Sequence, residues 1–156
     1  MGYGVVEGES DGLNMVGYGV LTCSNRAPIA DRLHLLYEGL MKLISRYQPD
    51  EVAIEEPFVA KNVRSALAVG RAQAVAILAA ACNKAPVYTY TPAQVKQAVV
   101  DYGGSGKEQV QRMVQIQLGL DEFPQPSDAA DALSVAICHL RQARVARLLA
   151  DSEGWR

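Results

Sequence analysis

The sequence predicts an α/β chain built on a mixed sheet with helices on both faces. Three observations carry that expectation. Two Gly-rich strands, Gly2-Tyr3-Gly4-Val5-Val6 and Gly17-Tyr18-Gly19-Val20-Leu21, flank the polar stretch from Glu7 to Gly12 and read as a β-hairpin. Two further short runs, Val52-Ala53-Ile54 and Val87-Tyr88-Thr89-Tyr90, are bounded by turn residues and are too brief for helices. Helical patterning occupies the segments between and after them. The order is therefore hairpin, helix, strand, helix, strand, helices.

Each element has its own reason. Asn25 to Pro28 form a loop, and the helix from about Ile29 to Arg46 repeats Leu33, Leu36, Tyr37, Leu40 and Ile44 at i, i+3, i+4, i+7 and i+11 as one buried stripe. His34 falls beside that stripe and reads as a partly buried packing residue. Val52-Ala53-Ile54 follows the turn signal Pro49-Asp50 and ends in acid, Glu55-Glu56, before Pro57 stops the ladder and leaves Phe58 on a loop. Asn62 is the N-cap expected for a long helix through about Cys82, whose Leu67, Gly70, Ala74 and Leu78 form a side small enough to lie close to a sheet. Thr91-Pro92 ends the last strand. A helix from about Ala93 to Val100 follows, then a loop from Tyr102 to Gly106, and then a helix from Lys107 to about Leu118. Ser127 is expected to cap a final helix from Asp128 to about Leu149, with Leu133, Ile137, Leu140 and Val145 as its buried side.

Composition narrows the class. At 156 residues and 49% hydrophobic, the chain suits one domain with a full core. There is no uninterrupted apolar run of ~18 residues and no basic-then-apolar opening, so a soluble, cytoplasmic protein is expected. Cys23, Cys82 and Cys138 are odd in number, far apart and set among apolar neighbours, which suits reduced core thiols. A net charge of −2 means that any surface for a polyanion must be a local patch.

Acidic residues dominate the candidate chemistry. A buried, unpaired carboxylate costs several kcal/mol, so Glu55 is expected where its strand leaves the sheet, the end at which open α/β sheets bind ligands. Asp128 and Asp131, three apart in a first helical turn, share a face, with Ala129 and Ala130 leaving room for a close neighbour. The plain alternative is that Glu55 is a solvated strand end and the aspartates complement the helix dipole. Together, carboxylates with no Cys or His beside them suit hard cations such as Mg²⁺ or Mn²⁺. Lys96 and Lys107 lie near helix openings, where phosphate binds readily, although either reads equally as a solvated surface lysine. Gly103-Gly104-Ser105-Gly106-Lys107 is not a phosphate-binding P-loop, because the first glycine of that pattern would fall at Asp101 and Glu108 follows the lysine. His34 and His139 anchor no hydrolase triad, since no Ser or Cys has a nucleophile-turn context.

Four segments taken together, Ala53 to Asn62, Ala93 to Ala98, Lys107 to Val110 and Ser127 to Leu133, resemble the RuvC family of bacterial Holliday junction resolvases in order and spacing from residue 2 to about residue 143. The resemblance implies an RNase H-like fold, one nuclease domain over 1–156, a homodimer on four-way junction DNA, the RuvA-RuvB branch-migration complex as partner, and Mg²⁺-dependent nicking of two opposed strands during recombination and repair. By the same resemblance Glu55, Asp128 and Asp131 match three of the family's four catalytic acids, holding two divalent ions about 4 Å apart. Phe58 matches an aromatic that stacks on bases at the junction centre, and Lys96 and Lys107 match basic residues that meet the DNA backbone. The family's first strand, Gly-(Ile/Val)-Asp-Pro-Gly, has no counterpart, because Gly2-Tyr3-Gly4-Val5 comes directly after Met1. The central strand and the fourth acid are therefore expected to be missing, leaving two unpaired edges and an open slot. A start assigned too far downstream accounts for this better than a shortened chain or a degenerate relative does, since the other motifs are intact. Two rival functions follow: a non-catalytic junction or nucleic-acid binder of the same fold, and an RNase H-like nuclease for another branched DNA.

Overall fold

The computed structural model describes residues 1–9, 12–56, 63–100 and 106–153. Phe58, Lys61, Asn62 and the Tyr102–Ser105 part of the glycine loop lie outside them. The chain opens with β1 (Gly2–Glu9) and β2 (Gly12–Val20), an antiparallel ribbon paired from Gly2↔Val20 to Glu9↔Gly12 with a register shift between Val5 and Val6. Both strands are longer than expected, because Glu7 and Gly8 continue the ladder opposite Asn14 and Leu13. Glu7, Gly8, Glu9 and Gly12, read as part of a loop, are strand residues on a ribbon whose other side, through Val6, Leu13 and Met15, packs on the core.

Helix α1 (Ile29–Tyr47) leads to β3 (Val52–Glu55), and α2 (Val63–Cys82) crosses over to β4 (Val87–Tyr90). β3 and β4 are parallel, in register from Val52↔Val87 to Glu55↔Tyr90. Helices α3 (Pro92–Val100), α4 (Lys107–Gln117) and α5 (Ser127–Glu153) complete the chain. Thr91 and Gln94 form a capping box at α3: the Thr91 N–H donates to Gln94 Oε1 at 2.8 Å, and the Gln94 N–H donates to Thr91 Oγ1 at 3.3 Å. The four strands form two two-stranded sheets, β1-β2 and β3-β4, and among the described residues no strand joins them, the pattern of a mixed sheet without its central strand.

Helix α5 ties the two sheets together, packing on β1 and β2 and on β3 and β4. Its Leu133 and Ile137 are fully buried with Val99, Val114 and Leu118, and its Val135 and Cys138 form a second cluster with Tyr90 and Val95. The approach to β1 is close enough to require glycine. A Cβ on Gly4 would stand 2.8 Å from Leu133 Cδ2 and 2.9 Å from the Leu133 backbone nitrogen, and one on Gly2 would run into the Asp128 carbonyl.

Several expectations are corrected. Leu67 and Leu78 are 52% and 55% exposed and a Cβ on Gly70 would meet nothing, so the stripe on α2 does not lie on a sheet. The buried side of α2 is Ala76, Ala79 and Ala80, whose small side chains reach the interior while the larger ones face out. His34 is exposed and 3.5 Å from Glu38 one turn on, because α1 buries no residue fully. Only Cys138 is a buried thiol; Cys23 and Cys82 are exposed. Val145 is exposed, since α5 runs past the body it packs on. Ser127 is the first residue of α5, and the Pro126 carbonyl accepts the first-turn N–H of Ala129 at 2.9 Å. By length and composition Ser65–Cys82 could cross a membrane, although Arg71 and Gln73 interrupt its apolar run.

Candidate active site

Strand β3 and helix α5 run in opposite directions, and alternate strand residues meet successive turns of the helix. Two residues of strand advance about 6.6 Å. Four residues of helix advance about 6 Å. Rungs therefore recur in step: Glu55 faces Asp131, Ala53 packs on the cluster that contains Val135, and Glu51, which leads into the strand, bonds to His139. The first rung is at the carboxyl end of a parallel pair, the end at which such sheets bind ligands.

At that end the structure brings together three of the residues singled out in the sequence. Glu55 is exposed overall, yet partial desolvation of its carboxyl and the neighbouring Asp131 charge push its pKa above the ordinary glutamate value. Lys107, the first residue of α4, places Nζ 3.5 Å from Asp131 Oδ2. Both partners of that pair are at least half exposed, so it contributes at most about 1 kcal/mol and exchanges readily for another cation or for a phosphate. Asp128 is exposed in the first turn of α5, one turn before Asp131. Lys96 is exposed on the second turn of α3, and no described contact brings it to the acids. Phe58 lies outside the described residues.

The donor chemistry fits a hard divalent cation. Glu55 and Asp131 present only carboxylate oxygens, and their mutual repulsion is the kind that a bound cation relieves. Among the described residues, however, no three His, Cys, Asp or Glu side chains converge on one point, so the expected triad of Glu55, Asp128 and Asp131 is present as a pair with Asp128 beside it.

The profile of the crossover junction endodeoxyribonuclease RuvC family matches residues 1–139. This chain belongs to the RuvC family. A crossover junction endodeoxyribonuclease RuvC of Dehalococcoides mccartyi strain BAV1 is 50% identical over 153 residues, 98% of this chain and 92% of the relative. The RuvC of Chloroflexus aggregans is 52% identical over 139 residues, 89% and 85% of the two chains. In three dimensions the chain resembles Thermus thermophilus RuvC in complex with a Holliday junction substrate, with a TM-score of 0.87 at 35% identity over 92% of this chain and 87% of that one. The RuvC match thus covers Glu55, Lys96, Lys107, Asp128 and Asp131, and it bears out the resemblance seen in the four sequence segments.

Sequence reasoning missed a second polar group in this RuvC-family chain. His139 does not reach the acidic pair. Its Nδ1 is 2.8 Å from the Tyr90 hydroxyl and its Nε2 is 2.7 Å from Glu51 Oε2, while the Tyr88 hydroxyl donates to Glu51 Oε1 at 3.3 Å. A cavity of about 360 Å³ opens beside them, with Gln142 and Arg147 among its lining residues. The signal was present as Glu51-x-Ala53-x-Glu55 against Asp131, Val135 and His139 at helical spacing, but only the pairing of the two elements makes it legible.

Proposed function

We propose that this chain is a structure-selective endodeoxyribonuclease that resolves four-way DNA junctions in recombination and repair by paired, Mg²⁺-dependent hydrolysis of phosphodiester bonds. The observation that carries this reading is that the Glu55 carboxyl feels the Asp131 charge, with Lys107 against Asp131, at the carboxyl end of β3 in a RuvC-family chain. Glu55, Asp128 and Asp131 are its catalytic acids and cation ligands. Bound divalent cation, Mg²⁺ or Mn²⁺ in its place, supplies a polarised water and neutralises charge on the phosphate. The chain's own residues do the rest: the carboxylates hold the site against β3 and α5, Lys107 moves from Asp131 to a backbone phosphate, Lys96 meets a second phosphate, and Phe58 stacks on an unpaired base. The protein acts in the cytoplasm as one domain, with the RuvA-RuvB complex as its branch-migration partner.

The nuclease acts as a homodimer. Leu67, Leu78 and Ile77 form an outward apolar side on α2, and Ser65–Cys82 is only 17% buried, so the helix offers a self-complementary surface. Replacing Leu67 and Leu78 together by Glu is expected to convert the dimer to a monomer by light scattering, with the cooperative thermal transition retained. An unchanged dimer mass would place the interface elsewhere.

The function is tested with a synthetic four-way junction and Mg²⁺, against linear duplex as competitor. Junction-selective binding with symmetric nicks is the expected result. The pairing of only two described acids favours one rival, a junction binder without catalysis, and that rival predicts a shifted band with no nick at any cation concentration. Competition by linear duplex as effective as by the junction would instead favour a nuclease for another DNA structure. Lys107→Ala should weaken junction binding and flatten the slope of log affinity against log salt by about 0.9, as the loss of one phosphate contact requires. An unchanged slope would remove Lys107 from the DNA interface.

A further inference from the structure

We propose that the hydrogen-bonded chain Tyr90–His139–Glu51 is a positioning device for the acidic pair, setting the register of α5 along β3 and thereby the place of Asp131 against Glu55. The inference rests on reading Glu55 and Asp131 as catalytic acids. None of the three residues touches the reacting phosphate; they act through the helix.

The geometry of the rungs argues for it. The middle rung is made of Ala53 and the cluster around Val135, small apolar surfaces whose attraction is non-directional and leaves the helix free to slide by fractions of an ångström. The far rung is directional. Glu51, as a carboxylate, only accepts, so the imidazole carries its proton on Nε2 and donates to Oε2 at 2.7 Å. Nδ1 lies 2.8 Å from the Tyr90 hydroxyl and in the neutral imidazole accepts from it. The Tyr88 ring lies 4.7 Å from the imidazole, centre to centre, and its hydroxyl donates to the other oxygen of Glu51. His139 is thus held at both nitrogens and along one face, with its side chain 8% exposed.

Tyr90 connects the two ends. Its backbone pairs with Glu55 in the parallel ladder, and its carbonyl accepts the Glu56 N–H at 2.8 Å, while its hydroxyl reaches His139 on α5. The residue beside the catalytic glutamate therefore also grips the helix that bears the catalytic aspartate. The other polar ties of this part of α5 run to α3, from Arg141 Nη1 to the Ala98 carbonyl and from Cys138 Sγ to the Gln94 carbonyl at 3.6 Å, so Tyr90, His139 and Glu51 are its directional ties to the β3-β4 pair. Because the acids must be held to within a fraction of an ångström, a slack helix reduces turnover before it reduces binding.

The test compares His139→Leu, which fills the space without hydrogen bonds, with His139→Gln, whose amide can donate to Glu51 and accept from Tyr90. Junction nicking is measured as kcat and KM, and amide hydrogen exchange is measured across residues 127–135. For His139→Leu the expected result is a kcat lower by about ten- to hundred-fold, with faster exchange in that segment. KM should stay within about two-fold, because substrate binding is untouched. His139→Gln should recover most of both. A kcat and an exchange pattern unchanged in His139→Leu, or a loss that Gln does not rescue, would overturn the proposal. If His139→Leu has no cooperative thermal transition, Tyr90→Phe, which removes one hydroxyl, takes its place with the same expected split. Should the wild-type chain nick nothing, the nuclease reading fails while the exchange comparison still decides whether the cluster holds α5 in place.

Discussion

Glu55→Gln will bind a four-way junction as well as the wild type and nick it about 10³-fold more slowly, since in the proposed nuclease Glu55 is an anionic cation ligand whose loss removes several kcal/mol of transition-state stabilisation. The substitution keeps the shape of a residue at the end of β3 and deletes only its charge. Affinity should hold or improve slightly, because a carboxylate facing a phosphate backbone repels it. The same variant has a second readout. Burial and Asp131 raise the pKa of Glu55 in the folded chain, so its contribution to stability is fully present below the unfolded-state value and is lost as pH rises through the folded one. At neutral pH the ionised side chain is therefore a net penalty in the metal-free protein. With chelator present, Glu55→Gln should melt above the wild type near pH 7, and the difference should vanish near about pH 3.5, where both side chains are neutral. Equal losses of binding and nicking, or a lower melting temperature at pH 7, would contradict the role given to this residue.

How much of this was legible in the sequence depended on whether the signal was local. The end of β3 in acid, the stop of β4 at Thr91-Pro92 and Asp128 in the first turn of α5 are local patterns, and each is in place, whereas Asp131, expected in that first turn, falls in the second because the helix starts at Ser127. The hairpin was legible as a hairpin, but not its length. Glu7, Gly8 and Asn14 have loop chemistry, and they pair because Leu13 and Met15 between them are drawn to the core. The face of α2 was misread for a related reason: Leu67, Gly70, Ala74 and Leu78 look like an inward stripe on any helical projection, but alanines rather than leucines fill its buried side. Similarly, His139 carries no local sign of its role. Its partners lie 88 and 49 residues away, and only the antiparallel approach of α5 to β3 brings the three together.

Gly4→Ala should be a strongly damaging single-methyl change, at a site where β1 meets the middle of α5. The added Cβ would stand 2.8 Å from Leu133 Cδ2, a side chain that is fully buried and has little room to turn, and 2.9 Å from the Leu133 backbone nitrogen, which moves only if α5 moves. Overpacking of a rigid core costs about 1–3 kcal/mol, and a backbone obstacle puts this site near the upper end. For a chain of this size that lowers the melting temperature by roughly 6–12 °C. Gly12→Ala on the same ribbon is the control, since its Cβ would meet nothing within 4 Å. Function should suffer beyond stability. Leu133 follows Asp131 by two residues, so a helix pushed off β1 carries the aspartate away from Glu55, and a displacement on the order of 1 Å is worth about 10²-fold in rate. Nicking measured well below the melting temperature should therefore fall in Gly4→Ala and not in Gly12→Ala, while junction binding stays within about two-fold in both. Full nicking in a folded Gly4→Ala would mean that the seating of α5 on β1 does not reach the acids, and that β3 with its Tyr90 and His139 contacts alone determines where Asp131 stands.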